Sequence, residues 1–244
     1  LLANERMGQN MMANASLKLG DLYRASGDPS SALGAYDESS RLYEGLHFAH
    51  YSYSAHKGKF LSHLALNNDA MAQQELQIVL GLFDEYREKI QEERQKTFFF
   101  DREQDTYDLA IDFTYFRLGD QRRAFDYAES NRARNLRELM HRGAEVTESE
   151  SGINVRASKG AESQTDPLTL TEIQQQLPEQ VQVVQYAVLD KRLLIWHLTR
   201  SGIVSKSVEL ESAKLKEAVE KTLRQIGQRD EPGSAASLKS LYNL

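Results

Sequence analysis

Apolar residues recur at helical spacing through the first 143 positions, and short polar turns interrupt them. One predicted helix ends at Gly27-Asp28, and the next carries Ala32 and Tyr36 on one face. Similar turns follow at Asn68-Asp69 and at Gly119-Asp120, which are 41 and 51 positions further along, from 68 − 27 and 119 − 68. Because stacked hairpins bury their faces against their neighbours, this pattern predicts a solenoid of helical hairpins over residues 1–143.

The helix before the first turn has an apolar stripe of its own, formed by Leu17, Leu19, Leu22 and Tyr23. We expect this stripe to face the core of the first hairpin, since an amphipathic helix buries its apolar side.

The pattern changes after residue 143. Residues 144–166 are polar and contain glycine and serine, which indicates a flexible linker. Residues 167–244 begin with a short helix that Pro178 stops, followed by β-rich runs at Val181–Leu189, Leu193–Thr199 and Ile203–Leu210. A helix from Ser212 follows, so this part is predicted to be α/β with a small antiparallel sheet.

Composition and charge restrict the classes of function. Hydrophobic residues make up 40% of the chain and charged residues 27%, which is ordinary for a globular protein. The net charge of −6 gives no electrostatic reason to expect a nucleic acid or an anionic membrane as partner. The chain has no cysteine, which excludes disulfides, thiolate metal sites and a cysteine nucleophile within these residues. We expect a cytoplasmic protein and no cofactor.

The first hairpin resembles a tetratricopeptide repeat (TPR), whose small residues let paired helices approach and whose aromatic residues fill the space between repeats. The matching residues are Ser16, Leu19-Gly20, Tyr23, Gly27-Asp28, Ala32, Tyr36 and Ser39. Ser16 departs from the bulky residue usual at its position, and the later repeats are longer than the standard repeat of about 34 residues. The resemblance implies that the repeats bind a protein or peptide partner on their concave surface.

Two later segments resemble the CHAT family, a group of caspase- and separase-related proteins that carry TPR repeats. The segment Ala124–Leu139 is similar to the family's last repeat, and Leu177–Gly202 is similar to the opening of its second domain. Active members are cysteine endopeptidases with a His–Cys dyad on later strands of the sheet. The resemblance therefore implies a caspase-like domain that is truncated before its catalytic half, and no dyad residue maps onto this chain. The chain does not begin with methionine, and we expect it to be a piece of a longer protein.

The candidate partner-binding residues are aromatic and basic. They are Tyr36, Tyr43, Tyr51, Tyr53, Arg132 and Arg134. For the tyrosines, and for Phe98-Phe99-Phe100, the alternative is packing between helices. The arginines belong to a basic stretch that either grips an acidic ligand or forms a solvated face paired with nearby carboxylates. Its members are Arg122, Arg123, Arg132, Arg134, Arg137 and Arg142.

The histidines give a weaker indication of a functional site than the aromatic and basic residues do. His47, His50, His56 and His63 suggest a metal cluster, and the first two are predicted three positions apart on one helix, but no recognised ligand spacing completes the site. His197 lies on a predicted strand, and the family's catalytic histidine belongs to a later one.

The resulting hypothesis is a repeat module for protein binding, attached to the N-terminal portion of a CHAT cysteine-protease-like domain, not an enzyme by itself. The alternative is a non-catalytic TPR scaffold or adaptor whose β segment only caps the repeats. The packing of the predicted sheet distinguishes the two hypotheses. The first predicts strands that are exposed in this chain, and the second predicts a closed, fully packed unit. The sequence leaves open the partner, the activity of the parent, the oligomeric state and metal binding near His47 and His50.

Overall fold

The chain forms two compact units, Leu1–Thr106 and Tyr107–Leu244. The computed structural model describes residues 2–89, 105–133, 167–227, 236–237 and 239. It confirms the predicted fold class, since the described residues are mainly helical, with TPR-like hairpins followed by a small antiparallel sheet.

The described residues of the first unit form two helical hairpins over positions 2–89. Its helices are α1 (Leu2–Ala25), α2 (Pro29–Leu46), α3 (Ala49–Ala65) and α4 (Asp69–Lys89). Each helix packs on the next one along the chain, and α1 also contacts α3. The first helices of the two hairpins therefore share one side of the unit, as in a stack of repeats.

Small residues let these helices approach closely around Tyr36. Its ring is fully buried between Gly20 of α1 and Gly58 of α3. A Cβ atom at Gly20 would lie 2.6 Å from this ring, and one at Gly58 would lie 2.4 Å from it. Glycine is therefore required at both positions for the observed spacing of α1, α2 and α3.

The turns that close the hairpins repeat one backbone design. Gly27, Asn67 and Gly119 adopt left-handed φ values of 80°, 54° and 68°. The next residue, Asp28, Asn68 or Asp120, accepts a hydrogen bond through its side chain from a backbone N–H three positions on. Each turn is thus a helix stop followed at once by a helix cap.

The second turn corrects the predicted alignment by one position. Asn67, and not Asn68, takes the left-handed conformation that corresponds to Gly27, so the repeat spacings are 40 and 52 positions, from 67 − 27 and 119 − 67. Five positions after each left-handed residue lies a fully buried alanine, at Ala32, Ala72 and Ala124. A small residue there allows the second helix to pack against the first.

The predicted stripe on α1 is only partly correct. Leu17 is buried, together with Ala13, but Leu19, Leu22 and Tyr23 are exposed. Helical geometry explains the difference, because Leu17 and Ala13 lie four positions apart on one face, whereas Leu19, Leu22 and Tyr23 lie on the opposite face.

The second unit combines a hairpin with the sheet. Helix α5 (Asp105–Asp112) spans the division between the units and continues into a π-helical turn, Phe113–Arg117. After the Gly119 turn, residues 121–133 form α6. The remaining elements are α7 (Leu170–Gln176), β1 (Val183–Val188), β2 (Arg192–Thr199), β3 (Gly202–Glu209) and α8 (Ser212–Gly227).

The three strands form an antiparallel meander of order β1-β2-β3 within the described part of the chain. The register pairs Gln185 with Trp196 and Trp196 with Ser205. Leu194, Trp196 and Leu198 of β2 are completely buried on one side of the sheet. The alternation of buried and less buried residues along β2 is the period of two expected of a strand with one covered face.

That covered face packs on the hairpin formed by α5 and α6. The indole of Trp196 meets the rings of Phe125 and Tyr115 edge to face, with centroids 5.9 Å and 6.2 Å away. The backbone N–H of Leu170 also donates to Asp126 Oδ1 at 2.6 Å, which ties α7 to α6. Within the second unit, the hairpin of α5 and α6 therefore shares one core with the sheet. The predicted linker, residues 144–166, lies outside the described residues.

Candidate interaction surfaces

Most of the candidate tyrosines are part of the core. Tyr36, Tyr43 and Tyr53 are buried to 1% exposure or less, so their rings offer no surface to a partner in this structure. The packing alternative accounts for them, since their large rings fill the space between neighbouring helices. Tyr51 differs: it is 43% exposed, and one side of its ring stacks on Tyr43 with centroids 4.9 Å apart.

A polar cluster lies where α1 and α3 approach each other. The Tyr36 hydroxyl donates to Asp21 Oδ1 at 2.9 Å and accepts from Arg24 Nε at 3.3 Å. Arg24 is exposed and Asp21 is half-buried, so both present charge to solvent beside a buried ring. On α3, Lys57 Nζ pairs with Asp105 Oδ1 at 2.8 Å. This α1/α3 face therefore carries charges of both signs on fixed helices.

The histidine pair does not form as predicted. His47 ends α2 in a left-handed conformation with φ 59°, whereas His50 belongs to α3. They are not neighbours on one helix, because the turn that joins α2 to α3 separates them. Within the described residues, no group of three His, Cys, Asp or Glu side chains is arranged to hold a metal ion.

His56 instead belongs to a network of charges that links three helices. Its Nδ1 lies 2.6 Å from Glu75 Oε2 of α4, and its Nε2 lies 3.0 Å from Glu44 Oε1 of α2. Lys59 Nζ lies 2.7 Å from Glu75 Oε1 and 2.9 Å from Asp37 Oδ1. Glu75 is almost fully buried, and His56 and Lys59 each contact one of its two carboxylate oxygens. The sequence does not show this network, since the groups come from separate helices.

The network changes the acid–base behaviour of its members. Burial disfavours the charged form of His56, but the hydrogen bonds to Glu75 and Glu44 outweigh it and raise the pKa. Burial likewise opposes the charge on Glu75, yet the hydrogen bonds from His56 and Lys59 lower the pKa of that carboxyl. For His63, burial dominates and lowers the pKa of the ring. Relative to a free imidazole, the structure therefore stabilises the charged form of His56 and the neutral form of His63.

The basic stretch divides into described and undescribed parts. Arg132 reaches Glu129 through two hydrogen bonds, 2.6 Å and 3.2 Å long, which agrees with the solvated-face alternative. Arg123 hydrogen-bonds the hydroxyl of Tyr127 at 3.1 Å, and Arg122 reaches Gln174 Oε1 at 3.4 Å. Arg134, Arg137 and Arg142 lie outside the described residues, as does Phe98-Phe99-Phe100.

The outer face of the sheet is mainly apolar and exposed, although it also carries Lys206 opposite Ile195. Val184, Tyr186 and Val204 are each more than 60% exposed. The register places Tyr186 opposite Ile195, and it places His197 between Val184 and Val204. Val188 and Leu193 continue the same face. Apolar residues at alternate positions on both sides of the strands are the signal that could have identified it.

His197 lies on this outer face and its Nε2 is 2.7 Å from Gln182 Oε1. Its two directly opposite partners are Val184 and Val204, and no carboxylate bonds to it within the described part of the sheet. The structure thus gives His197 a place in a surface that is mainly apolar.

Comparisons with known proteins add little to this description. No protein-family model matches the chain, and no curated protein matches it. Among solved structures, the crystal structure of the TPR domain of Arabidopsis FLU is similar over 52% of this chain and 96% of that chain, with 19% identity and a TM-score of 0.41. A similarity at that score carries no argument, so the TPR-like hairpins rest on the turns and packing described above. None of the described helices is long and apolar enough to span a membrane.

Proposed function

We propose that this chain is a protein-interaction repeat module joined to the opening strands of a CHAT-type, caspase-related α/β domain. The observation that carries the proposal is the exposed apolar face of the sheet, with Val184, Tyr186 and Val204 as its most exposed members. A sheet in the middle of a three-layer α/β domain is covered on both faces, so its strands are apolar on both sides.

The alternative of a β cap fits this face less well. A cap that closes the end of a repeat array presents a polar outer surface, because a terminal element has solvent on that side. An antiparallel sheet with one solvated face alternates apolar and polar residues, whereas the outer side here carries the apolar pair of Tyr186 and Ile195 beside the charged Lys206.

The edges of the sheet support the same proposal. With strand order β1-β2-β3, the outer edges of β1 and β3 have no strand partner among the described residues. Unpaired edges with exposed valines are aggregation sites unless another element covers or extends them. In a larger sheet, an additional strand beside β1 or β3 would pair with the exposed edge and prevent such aggregation.

The catalytic chemistry would belong to another part of the parent protein. Nucleophilic attack on a peptide carbonyl needs a thiolate beside an imidazole, and this chain has no cysteine. In this proposal the repeats position a protein substrate or partner, and a His–Cys dyad on later strands, where present, makes the parent a cysteine endopeptidase.

The coding sequence beyond Leu244 tests the proposal. We expect a strand that ends in histidine and a later strand that ends in cysteine. In that case, replacing the cysteine by alanine should abolish peptide-bond cleavage. A continuing α/β pattern without the pair would indicate a protease-like pseudoenzyme, and a β cap becomes the better explanation when no α/β domain follows.

A surface substitution provides a structural test of the same idea. Val204→Glu should change the stability of this chain by less than about 0.5 kcal/mol, because the side chain is exposed. In the full-length parent it should cost about 2–4 kcal/mol, since it buries a charge in a covered sheet. Ser207→Glu, at an exposed polar position of the same strand, is the control. Equal effects of Val204→Glu in both proteins would contradict a covered sheet.

The binding part of the proposal concerns the α1/α3 face. Asp21 and Arg24 present fixed charges there, and these can pair with polar groups of an extended peptide. A peptide selected from a displayed random library on this chain should bind at least about tenfold more weakly to Arg24→Glu. Arg41→Glu on α2, where the native arginine pairs with Glu38, should bind as the unmodified chain does. Equal affinities for both variants would place the binding site elsewhere.

A further inference from the structure

Helix α1 presents a straight apolar ridge on the side opposite the core. Met7, Met11, Ala15, Leu19 and Tyr23 follow each other at intervals of four residues, and all are exposed. Met11 is 65% exposed and Leu19 is 45% exposed, while Ala13 and Leu17 bury the other side of the helix. A ridge of this spacing is what helices use to pack on one another.

The equivalent ridge on α3 packs against α2. The repeat spacing of 40 positions relates Met11, Ala15 and Leu19 of α1 to positions 51, 55 and 59 of α3. Tyr51 stacks on Tyr43 of α2, and Lys59 pairs with Asp37 of α2 at 2.9 Å. The ridge of α3 is thus the surface through which the second hairpin packs on the first.

Ala55 shows what lies at the centre of this contact. It is fully buried in one core cluster with Tyr36, Tyr43 and Leu46 of α2. Ala15 has the same small side chain at the equivalent position of α1, but it is exposed. Since a small residue at the centre of a ridge allows a helix to approach closely, α1 has the shape of a helix-packing surface.

The chemistry of the two ridges differs in an informative way. On α3, Lys59 and His56 match the acidic residues Asp37 and Glu44 of α2. The equivalent positions on α1, 40 residues earlier, are Leu19 and Ser16, which carry no charge. A helix with acidic residues in the pattern of α2 would therefore find no cation to pair with at these positions of α1.

We propose that the α1 ridge is a repeat-stacking surface, covered by the second helix of a further hairpin that the same polypeptide supplies on the amino-terminal side of α1. This helix lacks the acidic residues that α2 has at Asp37 and Glu44, because α1 carries no cation opposite them. The inference does not depend on the CHAT proposal, because it rests on the first unit alone.

The short connection between α2 and α3 is the reason for assigning the covering helix to the same polypeptide. Only His47 and Phe48 separate the two helices, so the chain itself holds α2 on the ridge of α3. A hairpin joined to α1 by a similar link would be held on the α1 ridge at high effective concentration. A second copy is a poorer occupant, since its α2 already packs on its own α3, where Asp37 and Glu44 have their cationic partners.

Thiol labelling tests the proposal, because the chain has no cysteine of its own. Leu19→Cys would be prepared in this chain and in the polypeptide extended by the upstream residues of its gene, with any cysteine of the extension changed to serine. We expect a maleimide fluorophore to react at least about tenfold more slowly at position 19 in the extended protein. The control is Leu223→Cys on α8, whose native side chain is 61% exposed and whose labelling rate should not change.

Two results would overturn the proposal. One is an equal labelling rate at position 19 with and without the upstream residues. The other is protection in the short chain that increases with protein concentration and accompanies a dimer in light scattering, which would make a second copy the occupant. Met11→Cys repeats the measurement eight residues earlier on the same ridge, so a local perturbation at position 19 alone cannot imitate the result.

Discussion

Tyr36 shows at the scale of single residues how the repeats depend on small side chains. Its ring occupies the space that side chains at Gly20 and Gly58 would need. Gly34 of α2 is also a helical glycine, but no atom lies within 4 Å of the Cβ position there. The two kinds of glycine therefore predict opposite effects of the same substitution.

Gly58→Ala should destabilise the first unit by about 1–3 kcal/mol, because the added methyl group would overlap the Tyr36 ring. Gly34→Ala should stabilise it by about 0.5–1 kcal/mol, because alanine is the better helix former and the space is open. Urea unfolding followed by helical ellipticity measures both. Equal effects of the two substitutions would contradict the close approach of α2 and α3.

His56 and His63 should give the first unit opposite dependences on pH. The pKa of His56 is raised above its ordinary value of 6.5, so its contribution to folding is complete below pH 6.5 and is lost as the pH rises through the raised value. The pKa of His63 is lowered, so folding loses stability as the pH falls below 6.5. Charged neighbours of the pair come from α2, α3 and α4: Asp37, Glu44, Lys59 and Glu75.

His56→Gln should therefore cost more stability in mildly acidic buffer than in mildly alkaline buffer, with a loss of about 1–3 kcal/mol where His56 is charged. His63→Gln should have the opposite effect on the pH dependence of the unfolding free energy, because it removes a group that opposes folding when it is protonated. Urea midpoints measured for both variants between pH 5 and pH 8 test this. Parallel pH profiles for the two variants would show that the network does not control their protonation.

At the scale of elements, the hairpin turns are where sequence and backbone agree most closely. Asn67 holds a left-handed conformation that glycine holds at the other two turns. Asn67→Gly should stabilise the first unit by about 0.5 kcal/mol, and Gly27→Ala should destabilise it by about 1 kcal/mol. Thermal unfolding measures both changes. Gly34→Ala separates backbone strain at Gly27 from the general effect of adding a methyl group.

The elements that the sequence predicts well are those with local signals. Gly27-Asp28 and Gly119-Asp120 identify their turns, and the alternating residues of β2 identify a strand. In Asn67-Asn68-Asp69, either asparagine could be the left-handed residue that ends the helix. Only the observed φ of Asn67 decides between them. The strands, the two turns that contain glycine and the fold class could therefore be predicted from the sequence.

The candidate surfaces could not be predicted in the same way, because they depend on which neighbour covers each face. Tyr43 and Tyr51 are similar residues on adjacent helices, yet one is buried and the other is half-exposed. The stripe of α1 was expected to face the core, but Leu19 lies on the opposite side from Leu17. The charge network of His56 and Glu75 joins helices that are separate in sequence, so no local pattern reveals it.

At the scale of the whole molecule, the division into two units changes how stability should be measured. Trp196 is the only tryptophan of the chain and lies in the core of the second unit, against Phe125. Its fluorescence therefore reports the second unit, whereas helical ellipticity has a large contribution from α1, α2, α3 and α4 of the first. Two probes that follow different units make a single unfolding midpoint ambiguous.

Phe125→Ala should lower the midpoint of the Trp196 fluorescence transition by removing an aromatic side chain from this core, at a cost of about 3–5 kcal/mol. Gly58→Ala should leave that transition unchanged and shift only the ellipticity of the first unit. Leu223→Ala on α8, an exposed position, is the control and should change either midpoint by less than about 0.5 kcal/mol. If Gly58→Ala moved both transitions together, the chain would unfold as one cooperative body, and the hairpin of α5 and α6 would have to be assigned to the repeat stack as the sequence pattern first indicated.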